Sequence, residues 1–275
     1  MEHPIIPAME KDRNFDDLAP KFRRKVYGGL KGKIRLAVLK KDLNEFYPEA
    51  LTRTGKSPLH ILDAGGGYGP FSIDMAKLGH HITLWDLSGN MLDLAKERFS
   101  TAGVAVGLTA CHGPIQDILP DPEHPFDLIL CHAVLEWVVD PQGLIDHLMA
   151  VLPPGAVLSL TFYNLAGMIY KNLLRANYKK IMDKDYSGWP GSLTPTWPRE
   201  PDMVLSWLSS HPVKLLCHSG IRVFHDYILD PAARDRDPET MMKLELELSR
   251  QPPYRGLGRY QHLLCMKAQA NTRAN

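Results

Sequence analysis

Residues 61–70 read ILDAGGGYGP, an apolar run ending in Asp63 and followed by glycines at 65, 66, 67 and 69. Such a stretch is a buried strand, a turn almost without side chains, and the start of a helix. Glycine is required where the backbone takes positive φ or lies close to a ligand, and four in five positions exceed what a bare turn needs. A ligand is therefore expected against this loop. The dinucleotide fingerprint G-x-G-x-x-G, started at Gly65, asks for glycine or a small residue where Pro70 stands, so pyrophosphate fits poorly. Polar residues follow three further apolar segments: Asp86 after HITLW, Gln116 and Asp117 after a short run near 105–111, and His132 in CHAVLEWV, with Glu136 and Trp137 close behind. Asp86 also reads as a cap for a helix beginning near Ser88. A lone histidine on an apolar strand is often a satisfied core residue.

The elements that would position these groups alternate. Strands are expected at HILDA, HITLWDLS, 105–111, FDLILCHAV and AVLSLTFYN, with helices over 70–78, 89–101 and 141–151 between them. Apolar strands separated by helices of about ten residues indicate βαβ units and a parallel sheet covered on both faces. In an open sheet of this kind ligands bind beyond the carboxyl ends of the strands, where the glycines, Asp86, Gln116 and His132 fall. Residues 15–47 carry helical spacing (Phe22, Val26, Leu30, Ile34, Val38, Leu43), broken at Gly28 and Gly29. They form an N-terminal helical arm over 1–50, and 51–275 form the main domain. After Asn164 the alternation stops. An amphipathic piece and DYSGWPGSLTPTWPREP, with Trp189 and Trp197, indicate a cap inserted at about 165–200. A helix over 201–210, strands at IRVFHDY (221–227) and GRYQHLLCMKA (258–268), and a helix over 238–250 complete the chain, with disorder expected only in the last few residues.

With 275 residues and 44% hydrophobic content, the chain can bury a sizeable core. Its apolar runs are too short for a membrane span and its N-terminus is charged where a signal peptide would be apolar, so the cytoplasm is expected. Cys111, Cys131, Cys217 and Cys265 are scattered without a CxxC pair, which indicates reduced thiols and no zinc ribbon. A net charge of +1 argues against a uniformly basic nucleic-acid surface. Two local runs oppose that average: nine lysines and arginines with no acid over 21–41, and Lys171, Arg175, Lys179, Lys180 and Lys184. They read as solvated helix faces or as a surface for a polyanion.

Asp63 to Gly69 also has the D-x-G-x-G-x-G form of class I S-adenosylmethionine methyltransferases, which implies a Rossmann-like α/β fold with a mostly parallel seven-stranded sheet. Further blocks narrow the resemblance: DRNFDD (12–17), KGKIR (31–35), HAVLEWVVDP (132–141), FYN (162–164), SGIRVFHDY (219–227) and LGRYQH (257–262). Together they resemble the bacterial tRNA 5-carboxymethoxyuridine methyltransferases over about residues 12–268. The resemblance implies S-adenosyl-L-methionine as cofactor and the anticodon loop of tRNA as partner. The reaction implied is methylation of a wobble-uridine carboxylate, with neither metal nor membrane involved and a homodimer left open. It also implies that Arg35, Asp63, Gly65, Gly66, Gly67, Asp86, Ile115, Gln116 and His132 hold the cofactor, Arg35 at the methionyl carboxylate, Asp86 at the ribose hydroxyls, and Gln116 with Ile115 at the adenine.

A carboxyl group with a pKa of about 4 is ionised at neutral pH, so the chemistry needs placement rather than a general base. Arg222, Tyr163 and His132 are the catalytic candidates, Arg222 as a bidentate clamp on the substrate carboxylate. Trp137, Asn164, Arg259 and Tyr260 are candidates for stacking on or bonding the extruded base. Each could instead be packing, and Arg222 could pair with Asp226. A methyltransferase of a small acid or quinone, and a cofactor-dependent RNA-binding module without catalysis, remain alternatives.

Overall fold

A computed structural model describes residues 11–17, 29–53, 58–186, 193–195 and 197–269. Phe22, Val26 and Gly28 of the expected arm, Lys21, Arg23, Arg24 and Lys25 of the first basic run, Trp189 of the cap, and the last few residues lie outside these.

The sheet is built from β1 (His60–Ala64), β2 (His81–Asp86), β3 (Leu108–His112), β4 (Leu128–His132), β5 (Val157–Tyr163), β6 (Val213–Ile221) and β7 (Tyr260–Lys267). Their order is β3-β2-β1-β4-β5-β7-β6. The first five pair in parallel, and β7 is antiparallel to both β5 and β6. Strands β4 and β5 are near-continuous apolar runs because helices cover both of their faces. Alternation shows in β1, where Ile61 joins one core cluster and Leu62 the other. From β1 the chain first builds outward to β2 and β3, then returns to place β4 on the other side. The crevice where the order reverses lies at the carboxyl ends of β1 and β4.

On one face, α1 (Gly29–Phe46), α2 (Ser72–Ala76) and α3 (Gly89–Thr101) bury Ile34, Val38, Met75, Leu92 and Phe99. On the other, α4 (Pro141–Val151) packs Leu144, Ile145 and Leu148 beside Val204 and Leu208 of α7 (Pro201–Ser209). The expected arm is thus partly a core layer: the helix starts at Gly29, whose φ is +72°, and runs unbroken to Phe46. Residues 12–15, by contrast, are not helical. The expected helix over 70–78 is shorter, and the strand near 105–111 is β3, preceded by a helical turn at Ala105–Gly107. All four cysteines are free thiols.

After β5 come α5 (Leu165–Leu173) and α6 (Tyr178–Met182). The amide of Arg199 donates to Tyr163 O at 2.8 Å and that of Leu165 to Arg199 O at 3.0 Å, so the two ends of the 165–200 segment meet. The strand expected at 221–227 is misplaced. The strand is β6, ending at Ile221, and residues 222–227 form a turn closed by a short 3-10 helix. The amides of Val223, Phe224 and His225 donate to the carboxylate of Glu245, at 2.7, 3.1 and 2.8 Å. Glu245 lies on α8 (Pro238–Leu248) and is fully buried. A carboxylate takes the bonds that a neighbouring strand would have taken, so the amides of Val223, Phe224 and His225 are satisfied without β pairing.

Candidate active site

The glycine loop leaves β1 and crosses the crevice. Part of its glycine requirement is internal. A Cβ on Gly66 would stand 2.4 Å from Asp63 Cγ, and one on Gly69, at φ +66°, would stand 2.7 Å from the Phe99 ring. The loop thus folds over its own acid and packs onto α3. Asp63 is buried, and that burial pushes its carboxyl up to about 7. Asp86 accepts the Gly67 amide on Oδ2 and the Ser88 amide on Oδ1, both at 2.8 Å. Burial raises its pKa also. The helix cap is Ser88, whose Oγ accepts from Met91 N at 3.1 Å. Asp86 therefore ties loop to helix and still has one lone pair free on each oxygen.

One pocket is lined by Arg35, Asp63, Gly65, Gly66, Gly67, Asp86, Ile115, Gln116 and His132 together. Trp137, expected at the extruded base, lines the same pocket. An acid at the end of β2, an apolar wall of Ile115, Val134 and Met91, and an arginine across from the glycine loop fit an adenosyl amino acid. The guanidinium of Arg35 sits 4.1 Å over the Tyr260 ring. His132 is kept neutral, because burial, with His262 and Arg35 nearby, lowers its pKa well below the usual value. Next to it, Ala133 has a φ of +61°. Glu136 is fully buried, and its carboxyl is pushed up to about 7 by that burial.

Residues 12–17, noticed in the sequence only as a block of resemblance, form a strap over the ends of β2, β3 and β4. Asn14 Nδ2 donates to Leu87 O at 3.0 Å, and Asp12 accepts from Gln116 Nε2 at 3.2 Å and from Val139 N at 2.8 Å. Asp16 Oδ1 accepts from Ser88 Oγ at 2.6 Å and from Asn90 N at 3.1 Å. Asp12, Arg13 and Phe15 line the pocket, with Phe15 edge-on to Trp137 at 4.9 Å. Gln116 therefore spends one amide N–H on the strap, leaving the other N–H and its carbonyl oxygen for a ligand.

Near Tyr260, whose ring both Arg35 and Arg222 approach, a second cluster gathers around Asp226. Arg222 and Arg259 lie 3.4 and 3.3 Å from its Oδ2, Lys171 at 3.9 Å, and Lys31 at 4.0 Å from Oδ1. The expected pair of Arg222 with Asp226 exists, but four cations face that one carboxylate. Burial opposes the anion, yet Arg222 and its neighbours hold Asp226 well below the usual carboxylate range. Burial also lowers Lys171 to about 8. Arg222 lies in the turn after β6 with φ +59°, its guanidinium 5.5 Å over the Tyr260 ring and its buried Nε without a hydrogen-bond partner among the described residues. The remaining candidates divide. Arg259 donates to Gly167 O and to the Tyr163 hydroxyl, which buries both side chains in packing. Asn164 is fully buried, donates to the carbonyls of Gly256 and Gly258, and accepts from Ala166 N, so its amide is a structural tie with nothing left for a base.

Comparison with known proteins is consistent with this geometry. Residues 62–160 match the family model described as a methyltransferase domain. The chain is 41% identical over 260 residues to the tRNA 5-carboxymethoxyuridine methyltransferase of Escherichia coli (strain K12), covering 94% of this chain and 98% of that one. It is 32% identical over 112 residues to a ubiquinone biosynthesis O-methyltransferase of Xylella fastidiosa (strain 9a5c), covering 41% and 45%. The crystal structure of magnesium protoporphyrin IX methyltransferase from Synechocystis PCC 6803 with bound SAH superposes with a TM-score of 0.60 at 15% identity, covering 92% and 96%, a likeness of fold.

Proposed function

The chain belongs to the tRNA 5-carboxymethoxyuridine methyltransferase family, and from that we propose that it uses S-adenosyl-L-methionine to methylate the carboxylate of 5-carboxymethoxyuridine at the tRNA wobble position. When bound, the cofactor supplies an electrophilic methyl group on a sulfonium. Asp63, Asp86, Arg35 and the glycine loop hold it in the crevice. Arg222, Tyr260 and the cations around Asp226 receive the nucleoside.

The observation that supports a carboxylate substrate is the charge imbalance at Asp226. Desolvated cations in excess of their counter-ions are costly unless an anion completes the set. Arg222, with its unpartnered Nε, offers a fork to a carboxylate, and both it and Arg35 lie over the Tyr260 ring. The acceptor is already ionised, so the protein's task is to fix its two oxygens and exclude water. No proton has to be removed.

Helices α5 and α6 supply a face for RNA. Tyr170, Leu173, Tyr178 and Met182 are exposed there beside Lys171, Arg175 and Lys184. Aromatic and basic groups interleaved in this way suit loop RNA, whose bases stack and whose phosphates seek cations. A quinone or small-acid acceptor would have no use for such a face. No helix among the described residues is long and apolar enough to cross a membrane, and we place the reaction with its tRNA substrate in the cytoplasm. The test is mass spectrometry of wobble nucleosides from cells with and without this gene. Loss of the methyl ester with accumulation of the free acid is expected; an unchanged nucleoside profile contradicts the reading.

A further inference from the structure

Behind His132, on the side away from the pocket, side chains from four elements are hydrogen-bonded in a row. Asp42 Oδ2 of α1 lies 2.7 Å from His262 Nδ1 of β7, His262 Nε2 lies 2.9 Å from Ser159 Oγ of β5, and Ser159 Oγ lies 2.8 Å from His132 Nε2 at the end of β4. Asp42, Ser159 and His262 are each fully buried. At the far end, Arg250 places Nε and a terminal nitrogen 3.0 and 2.6 Å from Asp42 Oδ1. Burial works against the Asp42 anion, but His262 and Arg250 outweigh it and bring the carboxyl down to about 2.

The order Asp–His–Ser resembles a nucleophilic triad, yet Ser159 faces a second imidazole rather than a cavity. A proton relay has nothing to carry, since methylating an ionised carboxylate releases no proton. Cys217 lies near Asp42 and His262, but Arg250 on the same carboxylate would repel a metal cation there. What the chain can do is orient.

We propose that Asp42, His262 and Ser159 fix the tautomer of His132 so that a bare Nδ1 faces the cofactor pocket and accepts a hydrogen bond from the cofactor's ammonium. The proton order starts at the anion. A carboxylate only accepts, so His262 Nδ1 carries a hydrogen. With its single ring proton placed at Nδ1, His262 presents a lone pair at Nε2, to which the Ser159 hydroxyl donates. Ser159 Oγ accepts in turn from His132 Nε2–H, and Nδ1 of His132 is left bare. The opposite order requires a buried imidazolium at His262 and turns an N–H of His132 toward the pocket. That pocket already holds Arg35 and must receive a sulfonium and an ammonium, so a lone pair suits it and another donor does not. Arg35 is the group for the methionyl carboxylate, and the ammonium sits on the same carbon as that carboxylate. Ser159 and His262 thereby become positioning residues, and His132 serves the cofactor rather than the substrate anion.

The inference rests on the cofactor reading but not on the tRNA, and its test uses no RNA. Calorimetry compares S-adenosylhomocysteine with its deamino analogue on the full chain and on Ser159→Ala, while nitrogen NMR of histidine-labelled protein reads the His132 tautomer. The wild type should prefer the amino-bearing ligand by about tenfold or more, the worth of one charge-assisted hydrogen bond. Ser159→Ala should lose most of that preference while binding the deamino analogue as before, and the wild-type spectrum should show His132 protonated at Nε2. An equal preference in both proteins overturns the proposal, as does a wild-type His132 protonated at Nδ1. A wild type that binds neither ligand contradicts the cofactor reading itself, and the spectrum decides the proton order even then.

Discussion

Arg222 and Asp86 carry opposite halves of the account, and their variants should fail in opposite ways. Asp86→Ala removes two acceptors for a ligand and also releases the amides of Gly67 and Ser88. Cofactor affinity should drop by on the order of 2 to 4 kcal/mol. Arg222→Ala should leave cofactor affinity intact and lower kcat/KM on tRNA by about 100-fold, the cost of a lost bidentate clamp. Calorimetry and single-turnover kinetics on the two variants read this crossing, and a matching loss of both quantities in either variant would refute the division. Asp86 was legible because its signal is local, an acid closing an apolar strand twenty residues past the glycines. Asn164 was misleading for the same reason. It follows a strand as site residues do, but its amide is consumed by carbonyls of Gly256 and Gly258, about ninety residues away in the chain, which no local pattern can announce. The pairing of Ser159 with two histidines was equally invisible, since its members come from three separate strands.

At the level of elements, the buried strands announced themselves and the edge strand did not. β4 and β5 are apolar runs because both faces are covered, whereas β6 is half exposed and carries an irregularity between Leu215 and Cys217, so its pattern dissolves. The run IRVF beside it drew the strand assignment, although Glu245 takes the amides of Val223, Phe224 and His225. The strap over 12–17 shows neither helical nor strand spacing. Its role emerges only from its bonds to Leu87, Gln116, Val139 and Ser88, on loops that follow three different strands. Removing the two acids that anchor it, as Asp12→Ala with Asp16→Ala, should speed cofactor dissociation about 30-fold, at roughly 1 kcal/mol per anchor lost. Stopped-flow displacement measures this. An unchanged dissociation rate would mean that the strap decorates the pocket without closing it.

Over the whole molecule, a net charge of +1 hides an uneven distribution, with cations concentrated around Asp226 and along α5 and α6. Burial holds free Lys171 at about 8, and an anion bound beside it favours the ammonium and raises that value. Affinity for tRNA should therefore be full below about pH 8 and fall as pH rises above it. Lys171→Met should be weaker throughout and flat across that range; a wild-type affinity that is flat from pH 7 to 9 removes Lys171 from the site. The residues expected around the glycine loop line one pocket, and the fold class and the family were legible in the chain, because each rests on contiguous motifs. The cation cluster was not, since Lys31, Lys171, Arg222, Asp226 and Arg259 converge only when β7 enters between β5 and β6. The central claim is that the methyl group ends on a carboxylate of tRNA, and an ester is distinguished from every ring or ribose methylation by its lability to mild alkali. Purified protein should transfer tritiated methyl from S-adenosylmethionine to bulk tRNA carrying 5-carboxymethoxyuridine, and mild base should release that label as volatile methanol. Label that stays on the tRNA after base, or that appears only in small metabolites, would contradict the account.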